Sequence, residues 1–276
     1  MSRGQHFRPA SVYPVLSVML LLLILVMGCP PKPVGVEPGP APGKTDAVRA
    51  LEQAQEFFNA AGGLEQPAIG VSVASRQKLQ QVVDLVEKEV LGRVKKDLEM
   101  NAYALLAFSQ WRLGNYGQAM EAGNRGRQLY ETQNLATNRR EYGMCLIVGG
   151  LCLASQTYQE FENLPGPPTQ QQRLNLTGRL RQAMQDLDGV NTWLDRGEDI
   201  VVYANQWQLA VVDAAVRIWT AEGLAREVWQ PEVCRWLERA GPVFAKFPAS
   251  PYSRENITLT YKNKFDRRQK EYCRGR

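Results

Sequence analysis

Two long proline-free stretches are the feature that most constrains the fold of this chain. No proline interrupts residues 68–164 or residues 169–230, and both stretches are rich in Ala, Leu, Gln, Glu and Arg. These residues favour helices, whereas a helix interior excludes proline more strongly than any other residue. Strand-like alternation is brief, at residues 69–74, and has no obvious partner segment. The sequence therefore predicts an all-α domain over residues 45–276.

Apolar spacing and breaker residues divide this domain into some nine helices. We expect Asp46 to cap a first helix that runs to Ala61, where Gly62 and Gly63 end it. A second predicted helix is amphipathic, because its apolar residues recur at three- and four-residue steps. These residues are Leu79, Val82, Val83, Val86, Val90 and Val94. Further helices are expected at residues 98–113, 116–131, 170–194, 198–228, 231–247 and 250–272, with a pair of helices over 138–164.

The first 28 residues differ in composition from the helical domain. Arg3 and Arg8 precede an apolar run over residues 15–27, which stops at Gly28 and Cys29. A basic start followed by a short apolar core is typical of a secretory signal peptide, and this core is short for a transmembrane helix. We therefore predict a signal peptide at residues 1–28. The alternative is an uncleaved short membrane anchor.

The residues before Cys29 resemble the lipobox of bacterial lipoproteins. Val26, Met27 and Gly28 precede the cysteine. The resemblance implies cleavage before Cys29 and attachment of lipid chains, palmitate among them, to its sulfur and new N-terminus. Two or three acyl chains anchor a protein stably, because each buried CH₂ contributes roughly 0.8 kcal/mol. Pro30 follows Cys29 where inner-membrane lipoproteins carry aspartate, which implies an outer-membrane protein that faces the periplasm.

Residues 29–44 are expected to form a tether. They are rich in proline and glycine and have no apolar periodicity. Proline-rich segments are extended and semi-rigid, so this one would hold the helical domain away from the bilayer.

Composition limits the chemistry that the mature chain can perform. The only histidine, His6, lies in the predicted signal peptide. Without histidine, the usual Ser-His-Asp and Cys-His catalytic arrangements and histidine metal sites are excluded. The formal charge of +5 falls to about +3 without Arg3 and Arg8. The mature chain also lacks the broad stripe of basic residues that is typical of nucleic-acid-binding proteins. We expect no catalytic residue, metal, cofactor or nucleic-acid partner.

Residues 101–130 resemble a tetratricopeptide repeat, a helix-turn-helix unit of 34 residues. The matches are a large residue, a leucine and a small residue in the first helix, a Gly-Asn-Tyr turn and two small residues in the second helix. They are Tyr103, Leu106, Ala107, Gly114, Tyr116, Ala119 and Gly126. Small residues let two helices cross at close range. Gly123 departs from the pattern, since a large apolar residue is usual there. A generic helical hairpin is the alternative.

Two other segments extend this resemblance. Residues 142–164 contain Gly143, Gly149, Gly150 and Ala154, a density of small residues that suggests a degenerate second repeat. Residues 247–252 resemble the junction between repeats in the tetratricopeptide lipoprotein of the outer-membrane β-barrel assembly complex. The resemblance implies a solenoid of stacked helical hairpins, because a single repeat cannot bury its own faces.

The four cysteines of the domain fall into two pairs. Cys145 and Cys152 are seven residues apart on a predicted helix, so about 10 Å separates them. A disulfide requires less, and we expect two small buried apolar side chains. Cys234 and Cys273 either form a disulfide, which the periplasm permits, or remain free thiols.

Three further features have both a functional and a structural interpretation. Five tryptophans either line a ligand groove or, as we favour, pack in the core. They are Trp193, Trp207, Trp219, Trp229 and Trp236. Glu198, Asp199 and Asp213 act as paired acids or, as we favour, lie at a solvated helix end. Residues 261–276 hold seven Lys or Arg and two acids. This basic tail contacts anionic lipid or an acidic partner, or it is a frayed, solubilising terminus.

These observations predict a lipid-anchored envelope protein that binds other envelope proteins as a scaffold or assembly factor. Solenoids of this class bind through extended surfaces and need no catalytic residues. The alternative is a substrate-capturing lipoprotein of a periplasmic transport system, with a small-molecule pocket among the tryptophans. An enzyme is the weakest interpretation.

Overall fold

The computed structural model describes residues 45–64, 71–196, 199–221, 223–246 and 256–274, with side-chain surroundings for all but 194–196 and 256–260. These residues contain nine α-helices and no strand, as predicted. The helices are α1 Asp46–Ala60, α2 Val73–Leu85, α3 Lys96–Leu113, α4 Tyr116–Gln133, α5 Arg139–Glu162, α6 Gln170–Asp188, α7 Asp199–Ala221, α8 Arg226–Lys246 and α9 Asn256–Cys273. A π-helical turn, Val86–Val90, follows α2, and a 3₁₀ turn, Asn191–Arg196, follows α6.

Side-chain caps start several of the helices. The Thr45 hydroxyl accepts a hydrogen bond from the Val48 N–H and caps α1, so the expected cap at Asp46 is wrong by one residue. Asp46 lies in the first turn, where its negative charge faces the positive end of the helix dipole. At the start of α6, Thr169 and Gln172 form a reciprocal capping box.

Glycines in the left-handed region end two of the helices. Gly62 and Gly63 follow α1 with φ of 99° and 52°, and Gly114 separates α3 from α4 with φ of 89°. Side chains with a Cβ rarely adopt these angles, which explains why glycine occupies the turns.

The expected pair of helices over residues 138–164 is wrong. The single helix α5 covers residues 139–162, and Gly143, Gly149 and Gly150 lie within it. Glycine lowers helix stability by only about 1 kcal/mol, which tertiary contacts of α5 offset. A second tetratricopeptide hairpin within residues 142–164 is therefore excluded.

Four other predicted boundaries are also wrong. The helix expected to reach Val94 ends with the π-helical turn at Val90, and the helix expected to reach residue 194 ends at Asp188. The single helix expected over residues 198–228 is instead α7 and the start of α8. Pro231 lies inside α8 and not at its start.

The helices pack in a regular order. Each helix packs against the one that follows it, and the odd-numbered helices also pack on one another, in the pairs α1–α3, α3–α5, α5–α7 and α7–α9. Phe108 and Trp111 of α3, Leu151 of α5 and Ile218 of α7 are fully buried in the core. All described residues belong to one compact unit, Lys44–Arg276. In the described part of the chain, no helix combines the length and apolarity needed to cross a membrane.

Candidate functional site

The residues that resemble a tetratricopeptide repeat lie in the α3–α4 hairpin. Leu106, Ala107, Ala119 and Gly126 are buried, and Tyr103 and Tyr116 are half-buried. The pKa of the Tyr116 phenol is raised, chiefly by burial, and its hydroxyl contacts Ser155 and Gln159 on α5. Gly114 supplies the turn. The seven residues therefore join α3 to α4 and join this hairpin to α5.

Close helix crossings explain two glycines of α4. A Cβ at Gly126 would lie 2.5 Å from Cys145 Sγ and 3.2 Å from Tyr103 Cβ. A Cβ at Gly123 would lie 2.3 Å from Val148 Cγ1 and 3.2 Å from the Cys145 carbonyl oxygen. Gly123 departs from the repeat pattern because α4 approaches the backbone of α5 at this position.

Two glycines of α5 allow close packing with residues outside α4. A Cβ at Gly150 would lie 2.8 Å from the Ala183 carbonyl oxygen of α6, and one at Gly143 would lie 2.7 Å from the Trp193 ring. Helices α4 and α6 therefore both pack closely on α5. The small-residue density that suggested a second repeat reflects one helix with close neighbours on several sides.

A groove of about 390 Å³ lies between α4 and α6, above α5. Its floor and two walls come from three helices: Met120, Asn124 and Arg127 on α4, Cys145, Leu146, Val148 and Gly149 on α5, and Gln185, Asp186 and Gly189 at and beyond the end of α6. The volume lies in the range of about 300–1,000 Å³ that is typical of small-ligand sites. We call this feature the α4–α6 groove.

Opposite charges line the two walls of the α4–α6 groove. Arg127 is half-buried, and its Nε is buried without a hydrogen-bond acceptor. Among the described residues, Arg127 forms no ion pair. Across the groove, Asp186 Oδ1 accepts a hydrogen bond from Gln182 Nε2 at 2.9 Å, and within the same described ranges the Asp186 carboxylate has no cationic partner. Within the described residues, the groove thus presents a cation and an anion that form no ion pair.

The thiols near this groove are poor nucleophiles. Cys145 and Cys152 are free and buried, as the sequence predicts. Burial raises the pKa of the Cys152 thiol to about 12 and raises the pKa of the Cys145 thiol further. Because the thiolate is the reactive form, neither cysteine is a candidate nucleophile at neutral pH.

The tryptophans do not converge on one pocket. Trp219, Trp229 and Trp236 are buried, and the Trp219 ring stacks on the other two with centroids 6.5 and 6.0 Å away. Trp207 is half-buried and packs edge-on against Trp111 at 4.9 Å. Trp193 stacks on Tyr142 at 5.6 Å. Core packing, the interpretation that the sequence favours, accounts for these contacts.

The candidate acids form ion pairs with basic side chains. Arg140 Nε donates to both oxygens of Asp199 at 3.0 Å. Arg268 Nε lies 2.7 Å from Asp213 Oδ1. Asp199 is the first residue of α7 and its side chain is 25% exposed, in keeping with a solvated helix end, whereas Asp213 lies in the middle of α7. The two acids pair with different arginines, so they do not form a paired-acid site. Glu198 lies outside the described residues.

The basic tail is a packed helix where it is described. Helix α9 packs on α8 and α7, so the interpretation as a frayed terminus is wrong for residues 256–274. Lys264 and Arg268 of α9 pair with Asp213 of α7, and the Tyr272 hydroxyl donates to Asp213 at 3.2 Å. Lys262 pairs with Asp266 within α9. Two of the seven cations, Lys264 and Arg268, therefore hold α9 against α7.

A disulfide links this helix to its neighbour. Cys234 of α8 and Cys273 of α9 are bonded, with their Cα atoms 5.7 Å apart. The sequence left this pairing open, because spacing alone does not show that α8 and α9 lie side by side.

A buried arginine, which the sequence analysis missed, joins α3 to the end of α1. Arg112 is 2% exposed and donates to the carbonyl oxygens of Ala61 and Gly63 at 2.6 and 3.1 Å. Burial lowers the pKa of its guanidinium. The negative end of the α1 dipole and these two carbonyls compensate its charge.

Cys29, the signal peptide, the tether and residues 247–252 lie outside the described residues. No group of three or more His, Cys, Asp or Glu side chains suited to a metal ion occurs in the part of the chain that the structure describes. Comparison of the whole chain with known proteins finds no match among family models, curated proteins or solved structures.

Proposed function

We propose that this protein is a bacterial envelope lipoprotein whose helical domain is a tetratricopeptide-like solenoid that binds other envelope proteins as a scaffold or assembly factor. Cys29 carries the lipid anchor, residues 29–44 are the tether, and residues 45–276 bind the partner. The preferred location is the outer membrane, on its periplasmic face.

The observation that carries this proposal is the order of helix packing. Stacked helical hairpins place each helix against the next and bring alternate helices into contact. The contacts of α1 with α3, α3 with α5, α5 with α7 and α7 with α9 have this order. The crossing at Gly126 and the left-handed turn at Gly114 supply the local features that a tetratricopeptide hairpin requires.

The disulfide supports the location. Structural disulfides persist in oxidising compartments such as the bacterial periplasm and are rare in the bacterial cytosol. The Cys234–Cys273 bond therefore agrees with export directed by a signal peptide.

We prefer a scaffold to a transport subunit because of where the tryptophans lie. The transport alternative needs a tryptophan-lined pocket, whereas Trp219, Trp229 and Trp236 are buried against one another. A protein partner needs only an extended surface, and a standard interface covers about 800 Å² on each side.

The anchor is tested by replacing Cys29 with serine in the full chain. Wild-type protein is expected to incorporate radioactive palmitate and to fractionate with the outer membrane. Cys29→Ser is expected to accumulate as unlabelled precursor. Normal processing and labelling of the variant would contradict the proposal.

The scaffold function is tested by crosslinking in intact envelopes, followed by affinity purification and mass spectrometry. A second lipid-anchored protein of similar abundance is the control for non-specific capture. We expect enrichment of specific envelope proteins that then bind the purified helical domain directly. If no enriched protein binds directly, the scaffold proposal fails.

A further inference from the structure

The α4–α6 groove carries an inference that goes beyond the scaffold function. Among the described residues, it combines a cation without an ion pair on one wall, an anion without an ion pair on the other and apolar floor residues between them. Leaving a half-buried charge without a partner is unfavourable. A bound molecule that supplies both missing charges removes this cost on both walls.

The charges determine which groups the ligand needs. Arg127 presents a guanidinium, which binds carboxylates through paired hydrogen bonds. Asp186 keeps one carboxylate oxygen, Oδ2, free of the Gln182 hydrogen bond and accepts from an ammonium group. A molecule with a carboxylate and an ammonium group at opposite ends therefore complements both walls.

The floor and rim determine the rest of the ligand. Leu146, Val148 and Met120 give the groove apolar surface, and the flexible Met120 side chain is 38% exposed and adapts to different shapes. The amides of Asn124 and Gln185 both donate and accept hydrogen bonds, as a peptide group requires. These features suit an aliphatic side chain and at least one amide.

The groove remains open because Gly149 has no side chain. A Cβ at this position would meet only Asp186 Oδ2, at 3.5 Å. A larger residue is therefore tolerated by the fold but projects into the groove. This provides a variant that fills the site without disturbing a close helix crossing.

We propose that the α4–α6 groove binds a small zwitterion with an aliphatic side chain, a free amino acid or a short peptide, with its carboxylate on Arg127 and its ammonium group on Asp186. The volume of about 390 Å³ is that of a small-ligand site.

Isothermal titration calorimetry of the purified full-length protein with L-leucine and with leucyl-leucine tests the site. Leucinamide, which lacks the carboxylate, and 4-methylpentanoate, which lacks the ammonium group, are the matched ligands. We expect saturable binding of leucine or leucyl-leucine, and binding of each matched ligand weaker by about ten-fold or more, since charge-assisted hydrogen bonds contribute about 1.5–3 kcal/mol. The preferred length distinguishes an amino acid from a peptide.

Three variants locate the ligand. Arg127→Gln should weaken zwitterion binding about ten-fold and leave leucinamide binding unchanged. Asp186→Asn should also weaken zwitterion binding but leave 4-methylpentanoate binding unchanged. Gly149→Leu should abolish binding of every ligand. Gly178→Leu, on α6 where a Cβ meets nothing within 4 Å, is the control and should bind as wild type does.

Two results would overturn the proposal. One is no detectable binding of either zwitterion at millimolar concentration to the folded wild-type protein. The other is a loss of selectivity: the wild-type protein binds the matched ligands as tightly as the zwitterions, or Gly149→Leu binds the zwitterions as tightly as wild type does. Capture of envelope partners by Gly149→Leu protein is measured in parallel, so that loss of the groove and loss of the scaffold function are distinguished.

Discussion

Gly126 of α4 lies directly against Cys145 of α5, so that a Cβ on the glycine would be 2.5 Å from the cysteine sulfur. Cys145 is 1% exposed and packs against α4 at this point. The two helices therefore fit only when position 126 has no side chain.

Gly126→Ala is expected to destabilise the protein by about 1–3 kcal/mol through overpacking. Urea unfolding followed by circular dichroism measures the change. Gly117→Ala is the matched control on α4, where a Cβ meets nothing within 4 Å, and it should be neutral or slightly stabilising. Adding Cys145→Ala to Gly126→Ala should recover part of the loss. If Gly126→Ala and Gly117→Ala have the same stability, the close crossing is wrong.

Removing the disulfide is expected to lower the free energy of unfolding substantially. The bond closes a separation of 39 residues, for which chain entropy gives about 4 kcal/mol. The double variant Cys234→Ser, Cys273→Ser should unfold at lower urea concentration than wild type. Dithiothreitol should shift the wild-type midpoint to that of the variant and leave the variant unchanged. An effect of dithiothreitol on the variant would implicate another cause.

The free thiols are expected to be inaccessible in the native state. Cys145 and Cys152 are buried, and burial raises the pKa of both. An aromatic disulfide reagent at pH 8 should modify neither thiol until denaturant is added, after which both react. Rapid reaction of the native protein would show that the α4–α5 or α3–α5 contacts open readily.

Tyr272 is expected to make stability depend on alkaline pH. Burial and then the Asp213 carboxylate raise the pKa of its phenol from 10.0 to about 12. Because the pKa of Tyr272 is higher in the folded than in the unfolded protein, the neutral phenol contributes to the free energy of unfolding. This contribution is fully present below about pH 10 and is lost as pH rises through 12. It amounts to about 2 kcal/mol. Urea midpoints between pH 8 and 12 should fall less steeply for Tyr272→Phe than for wild type, and parallel curves would contradict the assignment.

Arg112→Met is expected to destabilise the end of α1. The substitution keeps much of the side-chain volume but leaves the Ala61 and Gly63 carbonyls without their donors, at a cost of about 1–3 kcal/mol. Hydrogen exchange should show earlier opening of α1, with α8 and α9 unchanged. A variant as stable as wild type would mean that desolvation of the guanidinium offsets its hydrogen bonds.

The helical class was predictable because it depends on local properties of the sequence. Helix propensity, the absence of proline and glycine turns such as Gly114 act over a few residues, and they located most elements. The second repeat expected from Gly149 and Gly150 is wrong, because small residues inside one helix with close neighbours and small residues in a helical hairpin look alike in sequence. Pro231 was misassigned as a helix start for a similar reason, since the residues before it continue the helix.

The candidate site was not predictable from the sequence, because its charges lie on different helices. Arg127 and Asp186 are 59 positions apart, and only the close packing of α4 and α6 on α5 places them across one groove. Pairing of Cys234 with Cys273 and of Arg268 with Asp213 depends in the same way on the position of α9.

The disulfide also gives the chain an asymmetric response to pulling. A row of helices that pack mainly on their neighbours loses structure most easily from its ends, where each helix has contacts on one side only. The Cys234–Cys273 bond fastens the last helix covalently to the one before it, so peeling from the C-terminus stops there. Mechanical unfolding would therefore begin at α1, the helix that follows the proposed tether. Tension on a membrane anchor would first break the Thr45 cap and the contacts of Arg112 with the end of α1.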